Sequence, residues 1–188
     1  VSNTIAILRG PHDRHLVPAA RVLLEAGLPL ELPLTTPGAL RAIETLGTVG
    51  AGTVLTEAQA RDAVNAGARF LVTPSVSLDV IAYGVARGVP VYAGALTPTE
   101  IVTAHQAGAA YVKLFPASLG GPAYLAALRQ PFPDIAFVPV GGVGPEEARA
   151  YLAAGAAAVG VGSPLVGDAL TSGDLDGLRE RAREWAAL

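Results

Sequence analysis

The sequence predicts an α/β fold, a single-domain (β/α)₈ TIM barrel spanning residues 1–188, compact and with short loops, and three observations carry that prediction. The first is a recurring Ala-Gly pair, at Ala26-Gly27, Ala66-Gly67, Ala107-Gly108 and Ala154-Gly155, each followed by an apolar segment; the glycines are 40, 41 and 47 residues apart. A glycine at that place ends a helix in a left-handed cap and hands the chain to a strand, so one period holds two βα units. The second is that the strand segments are nearly continuous runs of Val, Ile, Leu and Ala, as in a parallel sheet covered on both faces. The third is the absence of a GxGxxG turn after the first strand. An open doubly wound sheet is the rival architecture, and the fourfold period without that turn favours closure into a barrel.

Taken in order, the strands are expected at residues 4–9 (TIAILR), 28–34 (LPLELPL), 48–55, 68–74 (ARFLVTP), 89–95, 109–116 (AAYVKLFP), 135–140 and 156–163 (AAAVGVGS). Amphipathic segments between them supply eight helices. Residues 150–167 carry no charge, but Gly155, Gly160, Gly162 and Pro164 interrupt the run, so it reads as helix, turn and buried strand and not as a membrane span.

Bulk properties bound the function. At 188 residues, 51% hydrophobic and 15% charged, the chain can bury one sizeable core. Net charge is −3 and the basic residues are scattered, which leaves no footprint for nucleic acid. There is no cysteine, and His12, His15 and His105 do not form a metal-binding spacing, so neither a metal nor another cofactor is expected. Residues 1–9 lack the pattern of a signal peptide, and a cytoplasmic location is expected.

Of thirteen basic residues twelve are Arg, and Lys113 is the only lysine. It lies inside an apolar strand, Tyr111-Val112-Lys113-Leu114-Phe115-Pro116, where a solvated lysine has no place. Burial penalises the charged form of an amine, and the neutral amine is the nucleophile; a guanidinium, always protonated, could not substitute. The C-terminal end of a barrel strand is also where catalytic groups sit in this fold.

Glu31 is the second candidate. In Leu30-Glu31-Leu32-Pro33-Leu34, alternation puts the leucines on one face and Glu31 on the other, so leucines packed on helices leave Glu31 pointing into the barrel. Strands two and six stand on opposite walls of an eight-stranded barrel. An apolar cavity would raise the carboxyl pKa and suit it to proton transfer, and an amine facing an acid/base is what carbinolamine and imine chemistry requires. The alternative is that Glu31 forms a buried ion pair with Arg9. Arg9, closing the first strand, could instead bind a substrate carboxylate or phosphate through its planar fork, or form a salt bridge at the rim. Glycine-rich turns follow the third, seventh and eighth strands, including Gly141-Gly142 and Gly160-Val161-Gly162-Ser163; those after the last two are where barrels build phosphate sites from backbone N–H groups.

In order along nearly the whole chain, IAILRG, LELPLTTP, GAGTVL, LVTPSVS, YVKLFPAS, VPVGGVGPE and VGVGSPL resemble the class I pyruvate aldolases acting on 2-keto-3-deoxy-6-phosphogluconate, on its galactonate epimer, or on 4-hydroxy-2-oxoglutarate. The resemblance implies a homotrimeric, metal-free barrel that splits a phosphorylated keto sugar acid into pyruvate and glyceraldehyde 3-phosphate. By position it makes Lys113 the Schiff-base lysine and Glu31 the proton-transferring carboxylate. It places Thr53, Pro74 and Phe115 against pyruvate, and Gly141, Gly142 and Ser163, with the neighbouring Gly162, at the phosphate. Thr35 stands where gluconate-type enzymes usually have Arg, and Val140 where they usually have Thr; with the LRG ending of the first strand, both look more like the galactonate branch. Gly144 and Glu147 depart from the usual GGV(S/T)PEN turn. Outside the aldolases, a phosphosugar isomerase or epimerase using Glu31 as base, or a phosphometabolite-binding barrel without turnover, would share the fold.

Overall fold

The computed structural model describes residues 2–188. Its strands are β1 (Thr4–Ile7), β2 (Leu30–Pro33), β3 (Gly50–Gly52), β4 (Leu71–Val72), β5 (Val91–Ala95), β6 (Tyr111–Leu114), β7 (Phe137–Pro139) and β8 (Val159–Val161). Between them lie α1 (Leu16–Glu25), α2 (Ala39–Leu46), α3 (Glu57–Asn65), α4 (Leu78–Arg87), α5 (Pro98–Gln106), α6 (Gly121–Arg129) and α7 (Pro145–Ala153), with a 3₁₀ turn at Ala117–Leu119. All strand pairs are parallel, in the order β7-β6-β5-β4-β3-β2-β1-β8. A bridge between Val140 and Gly160 joins β7 to β8 and closes the ring. The fold is therefore the (β/α)₈ barrel.

The eight strands fall inside the predicted segments but are shorter. Arg9, Thr53 and Pro74 lie just past the ends of β1, β3 and β4, at the mouth of the barrel. Eight helices were expected, and the last βα unit breaks that count: after β8 come α8 (Ser163–Val166), α9 (Ala169–Ser172) and α10 (Leu175–Ala186). Gly167 and Gly173 separate them, both at positive φ (57° and 79°), so the apolar run after β8 cannot continue as one helix.

The Ala-Gly pairs form the caps that their spacing predicts. Gly27, Gly67, Gly108 and Gly155 all have φ between 80° and 97°. Each sits in a Schellman motif: Gly27 N–H donates to the carbonyl of Leu24 and Leu28 N–H to that of Leu23, and the same pair of bonds recurs at Gly67, Gly108 and Gly155. This turn delivers the chain from α1, α3, α5 and α7 into the even-numbered strands, always at the N-terminal end of the barrel.

Two apolar layers result. The larger lies between sheet and helices and takes Leu30, Leu32, Val112 and Leu114 from the outward faces of β2 and β6. The smaller fills the barrel: Ile5, Ile7, Val138 and Val140, with Phe70, Tyr92 and Tyr111 packed beside them. Tyr92 stacks on Tyr111 with centroids 4.4 Å apart and meets Phe70 at 5.1 Å. The Gly-Ala-Gly sequence of β3 follows from this layer, because a Cβ at Gly50 would enter the Phe70 ring and one at Gly52 would enter the Glu31 carboxyl.

Gly67 and Gly155 differ in one respect that can be measured. Nothing lies within 4 Å of a Cβ built at Gly67, whereas at Gly155 it would strike the Arg129 guanidinium, which donates to the Gly155 carbonyl. Gly67→Ala should cost about 1 kcal/mol through the left-handed backbone alone. Gly155→Ala should cost more, and urea unfolding of the two variants against the parent chain checks the order.

Candidate active site

Lys113 belongs to β6, in register with Gly94 of β5 and Val138 of β7, and its side chain is 6% exposed. Glu31 belongs to β2, in register with Ile7 and Gly50, and is 2% exposed. Four strands apart in a ring of eight, they occupy opposite walls. Both open into a cavity of about 510 Å³ at the C-terminal end of the barrel. All ten residues expected in the site line it: Arg9, Glu31, Thr53, Pro74, Lys113, Phe115, Gly141, Gly142, Gly162 and Ser163. Ile7, Val140, Val143, Gly160 and Pro164 complete the wall. Of these, Gly160 belongs to the glycine-rich turn after the eighth strand and Val140 to the departure from the gluconate-type pattern, while Ile7, Val143 and Pro164 are apolar and carry no chemical signal in the sequence.

Burial is the dominant influence on Glu31 and raises its carboxyl above the ordinary carboxylate range, against the opposing pull of the Lys113 and Arg9 charges. The Lys113 Nζ stands 5.1 Å from the centroid of the Phe115 ring, within cation–π range when charged and over an apolar face when neutral.

Arg9 takes up neither of the two ion pairs raised as alternatives for it. It forms neither the buried pair with Glu31 nor a rim salt bridge: the ion pairs among the described residues are Arg41–Asp13, Arg61–Glu57 and Arg179–Asp176, all at the surface. Its guanidinium donates instead to the hydroxyls of Thr35 (3.2 Å) and Thr53 (3.1 Å). Two neutral acceptors hold the fork across the mouth and leave its charge unspent. Thr53 itself has φ 55°, an outlier for a β-branched residue of the kind that accumulates at functional sites.

The remaining lining is fixed by backbone contacts. The Thr73 hydroxyl donates to the Ser75 carbonyl (2.7 Å) and accepts from Gly94 N–H (3.2 Å), which pins Pro74 between them. Gly94 has to be glycine there, since a Cβ would occupy the Pro74 carbonyl. Gly141 and Gly142, at φ 98° and 72°, turn above Phe115 and Ser118, and Ser118 N–H donates to the Gly141 carbonyl at 3.1 Å. Beyond them α7 starts without a hydroxyl cap; Glu147 fills in by accepting from Gly144 N–H at 3.1 Å, the half of a capping box that glycine at the cap leaves possible. Among the described residues no group of three or more His, Asp or Glu could hold a metal ion, and no helix is long and apolar enough to cross a membrane.

A (β/α)₈ barrel with one lysine and one carboxyl facing each other across its cavity has the parts that a carbon–carbon lyase of the aldolase class needs, and the relatives of this chain are aldolases. The chain belongs to the KDPG and KHG aldolase family, whose model matches residues 2–180. It is 38% identical over 170 residues to the 2-dehydro-3-deoxy-6-phosphogalactonate aldolase of Escherichia coli (strain K12), covering 86% of this chain and 83% of that protein. It is 35% identical over 179 residues to the KHG/KDPG aldolase of the same organism, covering 90% and 84%. Among solved structures, a KDPG aldolase from Legionella pneumophila with pyruvate captured as a covalent carbinolamine superposes with a TM-score of 0.91 at 30% identity, over 98% of this chain and 94% of that one.

The raised pKa of Glu31 makes a signed prediction. As pH climbs through the ordinary carboxylate range, the unfolded chain ionises while folded Glu31 keeps its proton, so this residue destabilises the fold progressively until its own raised pKa is passed. Glu31→Gln should therefore melt a few degrees higher than the parent at neutral pH, with the difference vanishing below the ordinary carboxylate range. The same variant should lose roughly 10² to 10⁴ in kcat. Calorimetry at two pH values and a turnover assay read both effects.

Proposed function

We propose that this chain is a class I aldolase that reversibly cleaves a 2-keto-3-deoxy-6-phospho sugar acid to pyruvate and glyceraldehyde 3-phosphate, with residues 1–188 acting as one catalytic domain. The observation that carries the reading is the placement of the chain's only lysine, buried and facing Glu31 in the same cavity. The neutral Lys113 amine adds to the C2 ketone, forming a C–N bond, and the carbinolamine loses water to give an imine as Glu31 passes protons. The electrons of the C3–C4 bond flow into the imine as the C4 hydroxyl yields its proton to Glu31, directly or through a water, and the aldehyde departs. The enamine left behind takes a proton at C3, and hydrolysis frees pyruvate and the amine.

Arg9 and Thr53 hold the pyruvoyl carboxylate at the mouth, Pro74 and Phe115 flank the reacting carbons, and the Gly141-Gly142 and Gly162-Ser163 turns hold the distal phosphate through backbone N–H groups. Thr35 and Val140 favour the galactonate epimer at C4. A second reading, cleavage of 4-hydroxy-2-oxoglutarate, draws support from the relative named KHG/KDPG aldolase, and it leaves the phosphate turns without a ligand. A cytoplasmic homotrimer belongs to the same proposal and rests on family resemblance.

Incubation with pyruvate and borohydride, followed by intact-mass spectrometry and peptide mapping, tests the covalent step. A reduced pyruvate adduct is expected on Lys113. Lys113→Ala should abolish the adduct and lower kcat/KM by at least about 10³-fold. An unmodified chain with pyruvate in excess, or full turnover by the alanine variant, removes the mechanism.

A further inference from the structure

The Gly162-Ser163 turn is joined to a single helical turn, α8, whose internal bonds run from Val166 N–H to the Gly162 carbonyl (3.0 Å) and from Gly167 N–H to the Ser163 carbonyl (2.8 Å). One turn of helix is not self-sustaining, because nucleation fixes several dihedrals for very few bonds. Its last carbonyls have no helical partners, since α8 stops at Val166. Arg181, fifteen residues past Val166 and carried by α10, supplies them: Nε donates to the Leu165 carbonyl (2.8 Å) and one terminal nitrogen to the Val166 carbonyl (3.0 Å).

Part of the space around this guanidinium is made by Gly167, just past the end of α8, where a Cβ would stand 2.9 Å from its Nη2. Gly177, within α10, leaves room first for the carboxylate of Asp174, the cap of that helix, with the Arg181 Nη1 next beyond it. The side chain is half-buried, forms no salt bridge with a carboxylate of the described residues, and gives its hydrogen bonds to two backbone carbonyls. Leu165 and Val166 bury their own side chains in the core on the far side of that contact.

We infer that Arg181 is a positioning residue for the phosphate end of the substrate: by clamping the C-terminal carbonyls of α8 it sets the placement of the Gly162-Ser163 turn at the cavity wall. It touches neither substrate nor Lys113. This inference rests on the reading of that turn as part of a phosphate site. It separates the two ends of the substrate, because the pyruvate end is held by Arg9, Thr53, Pro74 and Phe115, which follow β1, β3, β4 and β6, and Arg181 hydrogen-bonds to none of them.

The test measures KM and kcat for the phosphorylated keto sugar acid, competitive inhibition by inorganic phosphate, and the pyruvate concentration that half-saturates borohydride trapping. In Arg181→Met, KM and the phosphate inhibition constant should both rise on the order of tenfold, with kcat within about twofold of the parent and the pyruvate half-saturation unchanged. Arg181→Lys, which keeps the charge and can reach a single carbonyl, should fall between the two, and it carries the test if the methionine variant does not fold. Unchanged KM and phosphate inhibition in either variant overturns the inference. So does a rise in pyruvate half-saturation by the same factor as KM, which marks general loosening. If inorganic phosphate does not compete with substrate on the unaltered protein, the phosphate reading itself fails and this inference falls with it, whereas competition there with no effect of Arg181 removes the inference alone.

Discussion

The structure depends on the cost of holding two ionisable side chains inside a closed barrel. An isolated buried charge is prohibitively expensive, and a buried carboxyl responds by keeping its proton. Here the barrel does not neutralise Glu31 with a contact ion pair. It leaves the carboxyl and the Lys113 amine separated across a cavity, so that desolvation outweighs the attraction between them. The other features of the interior accommodate this choice. β3 gives up inward side chains so that the Glu31 carboxyl can lie across it, and the layer of Ile5, Ile7, Phe70, Tyr92, Tyr111 and Val138 closes the barrel from beneath. The salt bridges among the described residues are kept to exposed positions, where an ion pair contributes little and costs little.

At the mouth the protein uses neutral partners. Arg9 is fixed by two threonine hydroxyls, Pro74 by the Thr73 hydroxyl, and the seventh-strand turn by bonds to the 3₁₀ segment beside it. A carboxylate in any of these places would quench the cation that an anionic substrate needs. Hydroxyls and carbonyls orient a guanidinium without cancelling it, and this explains why Arg9 can be both well held and electrostatically free.

Much of this was legible in the sequence. The Ala-Gly period marked four Schellman caps because only a left-handed residue can make that turn, and glycine alone makes it without strain. Lys113 stood out because a lone lysine in an apolar strand has few physical explanations, and Glu31 because alternation assigned it to the opposite face from its leucines. What was not legible required knowing which segments meet in space. The partners of Arg9 come from loops 26 and 44 residues away, and nothing local announces that they are threonines and not Glu31. The three-helix ending after β8 departs from simple alternation of strand and helix because Gly167 and Gly173, both at positive φ, break the chain twice. Gly167 reads as an ordinary breaker until the Arg181 guanidinium is seen beside it.

The division of labour around the cavity follows from how each part is built. Lys113 and Glu31 sit within strands, where parallel ladders on both sides hold their backbones and leave only side-chain torsions free. In the proposed mechanism bond making and breaking at these two residues needs that rigidity, since a displacement on the order of 1 Å can cost 10²-fold in rate. The turns after β7 and β8 lie outside the ladder and hold their shape through caps, glycine torsions and contacts with neighbouring segments. Such elements can be shifted by changes far from the reacting atoms without disturbing the amine or the carboxyl. A barrel arranged in this way can keep one covalent chemistry fixed at its centre while the identity of the aldehyde fragment is decided at its rim, and that separation is consistent with a single family containing both phosphorylated and unphosphorylated specificities.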